Sequence, residues 1–273
     1  MRVGALSVRN VKAQNVNVGL RAAGGRVEVA PLNATLYQGA LAGSASIDAH
    51  ANRFALREQL TNVALGPLLR DAAQFDRIDG RGNVALDLAA TGTTVGALKR
   101  SLGGTARVEL RDGAVRGIDL DAIVRAAGAL LGSTASGESR GQAGGETRFS
   151  ELSASFVIRN GVARNDDLAG RSPLVRVSGA GTIDLGAGTI DYLLRATPVA
   201  PVPIGGGRQL TVLQGVAVPV RVSGPLTSPG YSVDMAQLAV ESAKTGVRLS
   251  IGKGAAGAGT GVEDVLRGIL RKK

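Results

Sequence analysis

In Leu152-Ser153-Ala154-Ser155-Phe156-Val157-Ile158-Arg159 the apolar residues Leu152, Ala154, Phe156 and Ile158 occupy alternate positions. A pleated strand turns such residues to one face, so this stretch predicts a β-strand with one apolar and one polar side. Asn160-Gly161 follows as a turn, and the pattern then repeats outward along the run from Phe149 to Asp234. Leu174 to Leu185 alternates Val175, Val177, Gly179, Gly181, Ile183 and Leu185 with Arg176, Ser178, Thr182 and Asp184, before the turn Gly186-Ala187-Gly188. Thr189 to Thr197 sets Ile190, Tyr192, Leu194 and Ala196 opposite Asp191, Arg195 and Thr197. Beyond a Pro-rich interruption, Val216, Val218, Val220 and Val222 alternate again. Strands joined by turns this short must be antiparallel, because a parallel pair needs a crossover of a dozen or more residues.

Upstream, Val8, Val11, Val16, Val18, Leu20, Val27 and Val29 surround the turn Ala23-Gly24-Gly25, and Leu32 to Asp48 reads as a further strand pair. Asn62 to Ala72 differs, with Pro67 in a first helical turn and Leu68, Leu69 and Ala72 at helical spacing. Thr94 to Leu102 predicts a second short helix, capped by Thr93 or Thr94, and Asp119 caps a third through Ile123, Val124, Ala127, Leu130 and Leu131. Gly132 to Gly145 is Gly- and Ser-rich and is expected to be a mobile loop open to proteolysis near Arg140. Gly82 to Leu88, Gly104 to Leu110 and Gly181 to Leu185 share one theme, a glycine entry into a strand that ends in an acidic residue and Leu. This is a repetitive sheet rather than a strict solenoid. Three segments are expected: a β-rich domain over 1–235, a Gly/Ala-rich linker over 236–261, and an amphipathic helix over 262–273 carrying Val262, Val265, Leu266, Ile269 and Leu270 on one stripe.

With 273 residues, 44% of them hydrophobic, the chain can build a sizeable core, but Phe, Tyr and Trp total seven while Gly numbers 40. The core is therefore expected to be aliphatic and shallow. No Cys is present, which excludes disulfides and cysteine-bound zinc. The net charge of +10 comes mostly from Arg scattered singly along strands, since Lys occurs only at 12, 99, 244, 253, 272 and 273. No basic run is interleaved with aromatic residues, so the charge reads as solvated faces and nucleic acid is not expected as a partner. No stretch of 18 or more apolar residues occurs, and Met1-Arg2-Val3-Gly4 opens directly into polar sequence, so neither a transmembrane helix nor a signal peptide is expected.

Catalytic motifs fail on context. Gly137-Glu138-Ser139-Arg140-Gly141 spells a nucleophile elbow, but it lies in the Gly-Ser loop, and the single histidine, His50, reads as a turn residue. Gly80-Arg81-Gly82-Asn83-Val84-Ala85 spells a dinucleotide fingerprint, yet it opens a strand instead of closing one into a helix. Gly252-Lys253-Gly254 lacks the remainder of a P-loop. Asp166-Asp167 and Asp119/Asp121 read as a turn and a helix cap rather than a cation site. The chain is accordingly expected to be non-enzymatic, with no metal and no cofactor.

Four stretches resemble the AsmA family of bacterial envelope proteins, specifically its C-terminal region: Leu36 to Gly43, Asn62 to Leu69, Leu102 to Leu120 and Val218 to Leu226. The third, Leu-Gly-Gly-Thr-Ala-Arg-Val-Glu-Leu-Arg-Asp-Gly-Ala-Val-Arg-Gly-Ile-Asp-Leu, is the most specific. The resemblance implies a mainly β fold whose antiparallel, repetitive sheet curls into an apolar groove. It further implies a periplasmic body tethered to the inner membrane by an upstream segment, and a role in outer-membrane biogenesis or lipid movement between membranes. The residues expected to face lipid are Val175, Val177, Ile183, Ile190, Tyr192, Leu194, Val218, Val220 and Val222, with phospholipid or another acyl lipid as ligand and Arg residues at the rim to meet an anionic head group. Other envelope proteins are expected partners, and the C-terminal helix is expected to meet a sheet edge or a membrane surface. A β-sandwich scaffold or interaction module, whose apolar faces pack only on each other, is the competing expectation.

Overall fold

A strand followed by a two-residue turn can only return alongside itself, and Gly24-Gly25 and Asn160-Gly161 impose such returns with positive φ at all four residues. The computed structural model, which describes residues 2–8, 10–132, 145–205, 208–210 and 214–244, carries this rule through almost the whole chain. The strands are β1 (Arg2–Val8), β2 (Val11–Ala23), β3 (Arg26–Leu36), β4 (Gly39–Asp48), β5 (Arg53–Ala64), β6 (Ile78–Thr91), β7 (Gly103–Arg116) and β8 (Glu146–Arg159). They continue as β9 (Val162–Arg171), β10 (Val175–Asp184), β11 (Thr189–Pro198), β12 (Val202–Gly205), β13 (Arg208–Leu210), β14 (Val218–Pro225) and β15 (Gly230–Val233). Thirteen of them form one sheet in chain order, β1 to β11 followed by β14 and β15, while β12 and β13 make a separate ribbon. Every pairing is antiparallel. The sheet is single, open and curved. The sandwich expectation is thereby corrected: among the described residues the strands follow one another across a single large sheet, with only the two-stranded β12–β13 ribbon set aside, so no second large sheet packs face to face with the first.

In a meander, insertions after odd-numbered strands emerge at one end of the sheet and those after even-numbered strands at the other. Helices α1 (Leu65–Ala73, after β5) and α3 (Leu120–Gly132, after β7), the β12–β13 ribbon (after β11) and α4 (Met235–Lys244, after β15) therefore gather at one end. Among the described helices, only α2 (Val95–Ser101, after β6) lies at the opposite end. Helices α2 and α3 start at caps that the sequence predicts. Thr94 Oγ1 accepts the Ala97 N–H at 3.2 Å to cap α2, and Asp119 Oδ1 accepts the Ala122 N–H at 2.8 Å to cap α3. At the far side of α1, Gln74 takes a left-handed conformation and its N–H returns to the Arg70 carbonyl.

The helix end of the sheet holds two cores. In one, α1 brings Leu65, Leu68 and Leu69 against Leu36, Leu60, Val63, Val84, Leu110 and Phe149. In the other, Leu120, Ile123, Val124 and Ala127 of α3 and Leu238 of α4 cover Val175, Val177, Ala196, Val216, Val218 and Val220. Each fully buried Val or Leu contributes about 1.5–3 kcal/mol. Two expectations need correction. The stretch 236–244, assigned to the linker, is helical, because Asp234 Oδ1 caps it through the Gln237 N–H at 2.9 Å and Leu238 is wholly buried against the sheet. Asp166-Asp167 lies inside β9 rather than in a turn, beside a register irregularity against β8. The interior of the predicted loop Gly132–Gly145, the remainder of the linker and the predicted helix 262–273 lie outside the described residues.

Candidate functional site

Directly opposed residues in an antiparallel pair project to the same face, so the strand register assembles the faces residue by residue. One row crosses the sheet as Leu20–Val29–Ala45–Leu56–Leu88–Gly104–Ile158–Ala163–Ile183–Ile190. The next row toward the helix end contains Leu32, Gly43, Glu58, Leu86, Ala106 and Phe156, and continues on the far strands as Gly181, Tyr192 and Val222. A third contains Leu41, Leu60, Val84, Val108 and Ala154, with Gly179, Leu194 and Val220 farther on. The result is an aliphatic face running through the sheet, interrupted by Glu58, while the ion-paired side chains of these strands take the opposite face. There Arg57 pairs with Asp87 at 2.6 Å, Arg107 with Glu109 at 2.9 Å and Arg221 with Asp191 at 2.9 Å, all solvent-exposed and worth about 0–1 kcal/mol each.

All nine residues expected to face lipid share the aliphatic face, on β10, β11 and β14. They are not equally accessible. Val175, Val177, Val218 and Val220 are buried beneath α3 and α4, so they form a closed core and not an open lining. Ile183, Ile190, Leu194 and Val222 are half-buried. Tyr192 is buried, and its hydroxyl donates to Asn165 Oδ1. Asn165 in turn donates through Nδ2 to the Ser155 carbonyl at 2.7 Å and to Asp167 Oδ1 at 2.6 Å. The phenol is held well above its ordinary range, first by burial and then by the carboxylates of Asp167 and Asp166. Its polar tip is thus spent on the fold and does not point at a ligand.

The open part of the aliphatic face lies at the end away from α1, α3 and α4, on the first half of the chain. Leu20 is 66% exposed, Ile47 41% and Phe54 37%, with Val27, Val29, Leu56 and Leu88 half-buried between them. These positions alternate as regularly as those on β10 and β11. What distinguishes them is that α1, α3 and α4 all lie at the other end, while the short α2 at this end buries none of its residues, a property of topology that no local pattern carries.

Glu58 interrupts the aliphatic face. It is directly opposite Leu86 on one side and Gly43 on the other, it is 6% exposed, and neither carboxylate oxygen has a hydrogen-bond partner. Its side chain lies across Gly43: a Cβ added there would fall 2.4 Å from Oε2. Burial pushes its pKa above the ordinary glutamate value. A shallow hollow of about 610 Å³ opens on the opposite, charged face, between the Arg57–Asp87–Thr105–Val157 row and the Gln59–Ala85–Arg107–Ser155 row, with the backbone of the Glu58 row as its floor. Among the described residues no cluster of three or more His, Cys, Asp or Glu side chains is placed to hold a metal, and no helix is long and apolar enough to cross a membrane.

The AsmA family model matches residues 1–168, which spans β1 to most of β9 and includes both the open aliphatic region and Glu58. Protein AsmA of Escherichia coli (strain K12) is 23% identical over 216 residues, covering 78% of this chain. That alignment takes in 34% of the relative, so the chain spans about a third of its length. No solved structure matches. With the family model covering more than half of its residues, and an antiparallel sheet built as the resemblance implied, the chain belongs to the AsmA family.

Proposed function

We propose that this chain is a non-enzymatic module of the bacterial cell envelope that holds acyl chains on the uncovered aliphatic face of its sheet and so contributes to lipid movement or outer-membrane biogenesis. The observation that carries this reading is the exposure of Leu20, Ile47 and Phe54 on the same face that, at the helix end, forms the protein's two cores. Large apolar patches of this kind mark interaction surfaces. Branched aliphatics with few hydrogen-bonding groups suit a hydrocarbon chain. Each methylene moved from water onto this surface contributes on the order of 0.8 kcal/mol, so a chain of a dozen carbons is retained without a polar clamp. AsmA membership supports the envelope setting, and the periplasmic side of an inner-membrane tether is the placement proposed.

The chain contains no Trp, which allows a clean optical test. Phe54→Trp places a single indole on the open face. Phospholipid vesicles with brominated acyl chains are expected to quench its emission, whereas the same lipid without bromine leaves it unquenched. Equal emission in both, with protein and lipid at concentrations that co-sediment, would refute acyl binding at this face.

A further inference from the structure

Like charges that stand directly opposite across two strands repel and unlike charges attract, so a sheet's register sorts its charged residues. Most of this chain follows that rule: Arg21 faces Glu28, Arg26 and Arg53 both face Asp48, Arg57 faces Asp87 and Arg116 faces Glu146. One row departs from it. Across β6 to β10 the register aligns Arg81, Arg111, Glu151, Arg171 and Arg176, so that Arg81 opposes Arg111 and Arg171 opposes Arg176. These are the two like-charged pairs among the described strand pairings, and both fall in the same row of the charged face, fully exposed to solvent. Glu151 leans to Arg171 at 3.6 Å, and Arg81 donates to the Gln38 carboxamide. Arg111 and Arg176 engage no carboxylate among the described residues. Arg195 stands one row on, diagonal to Arg176 and opposite Pro219.

We infer that this arginine row is a docking surface for a bilayer of anionic phospholipid, each Arg–Arg pair closing on a lipid phosphate. Two guanidinium groups held side by side repel until an anion lies between them, and each offers a planar fork that matches phosphate oxygens. The Arg81–Arg111 pair borders a shallow hollow of about 560 Å³ with Asn83 and Ser153, on the same charged face. Of the carboxylates there, Glu109 is held by Arg107 at 2.9 Å and Glu151 by Arg171, which leaves Asp112. The two pairs stand three strands apart, about 14 Å at ordinary strand spacing, too far for one phosphate to bridge. A bilayer surface presents phosphates to both at once, and the net charge of +10 adds attraction at longer range. The row holds no aromatic side chain on which the bases of a nucleic acid would stack. Acyl binding uses the other face, so the inference does not rest on it.

The test is co-sedimentation of the full chain with phosphatidylcholine vesicles, with and without added phosphatidylglycerol, over a range of salt. Phosphatidylglycerol is expected to strengthen binding, and salt to weaken that gain. Each arginine at such a surface is worth about fivefold, so Arg111→Gln combined with Arg176→Gln is expected to lower the gain roughly 25-fold. Arg57→Gln combined with Arg221→Gln removes the same charge from positions paired with Asp87 and Asp191, and is expected to lower it far less. Taking one arginine from each like-charged pair relieves repulsion, so the first variant is expected to melt no lower than the parent. Should it not fold, Arg81→Gln combined with Arg171→Gln tests the same two pairs. Equal losses in the row variant and the ion-pair variant would assign binding to net charge alone and overturn the inference. Binding that is indifferent to phosphatidylglycerol would also overturn it, and would leave the acyl-binding reading of the other face intact.

Discussion

Replacing Glu58 by Met keeps an unbranched side chain of similar length lying over Gly43 and removes two buried, unpartnered oxygens. Leaving a buried polar group unsatisfied costs about 1–3 kcal/mol, so Glu58→Met is expected to stabilise the fold by that order at neutral pH. For a chain of this size the gain corresponds to roughly 2–4 °C in Tm per kcal/mol. The effect has a definite pH signature. Because burial raises the pKa of Glu58, the folded chain binds more protons than the unfolded chain between the ordinary glutamate value, about 4.3, and the raised native one. Stability of the parent therefore falls as pH rises through that interval and levels off above it. The Met variant lacks this fall, so its advantage is small at low pH and grows to a plateau. Urea titrations of both proteins from acid to neutral pH measure the difference directly. A destabilised Met variant, or an advantage that shrinks with rising pH, would refute the claim that the carboxylate is buried without a partner.

Leu238→Ala deletes the one leucine by which α4 is anchored beneath the β14 strand, where Leu238 is wholly buried, and is expected to cost about 2–5 kcal/mol in denaturant titrations. Tyr192→Phe removes the donor to Asn165 Oδ1, and because Asn165 is only 2% exposed the loss is expected to be about 1–3 kcal/mol with no change in lipid binding. A Tyr192→Phe variant that binds less lipid at unchanged stability would return the tyrosine to the ligand-facing set.

Much of the fold is legible in the chain because a two-residue alternation and short glycine turns leave an antiparallel meander as the only economical arrangement. The caps at Thr94 and Asp119 are equally local, and both hold in the structure. The candidate site is less legible. Val175, Val177, Val218 and Val220 alternate as well as Val27 and Val29 do, and nothing in either pattern says which is roofed by a helix. That information lies in strand parity: helices inserted after β5, β7 and β15 must emerge at one end, and they cover the part of the aliphatic face nearest that end. Glu58 did leave a signal. In Phe54-Ala55-Leu56-Arg57-Glu58-Gln59-Leu60 it takes the apolar phase between Leu56 and Leu60, a charged residue where the period calls for an aliphatic one. The segment 235–244 escaped because it is short and, of its large apolar residues, only Leu238 is buried, while Met235 and Val240 are exposed.

The most direct measurement is lipid extraction. The chain is purified from bacteria alongside a variant carrying Leu20→Asp, Ile47→Asp and Phe54→Asp, three positions exposed enough that the fold tolerates a charge, and both extracts are quantified by mass spectrometry. The account predicts phospholipid in the parent and little or none in the folded variant. Equal lipid in both, or none in the parent, would contradict it.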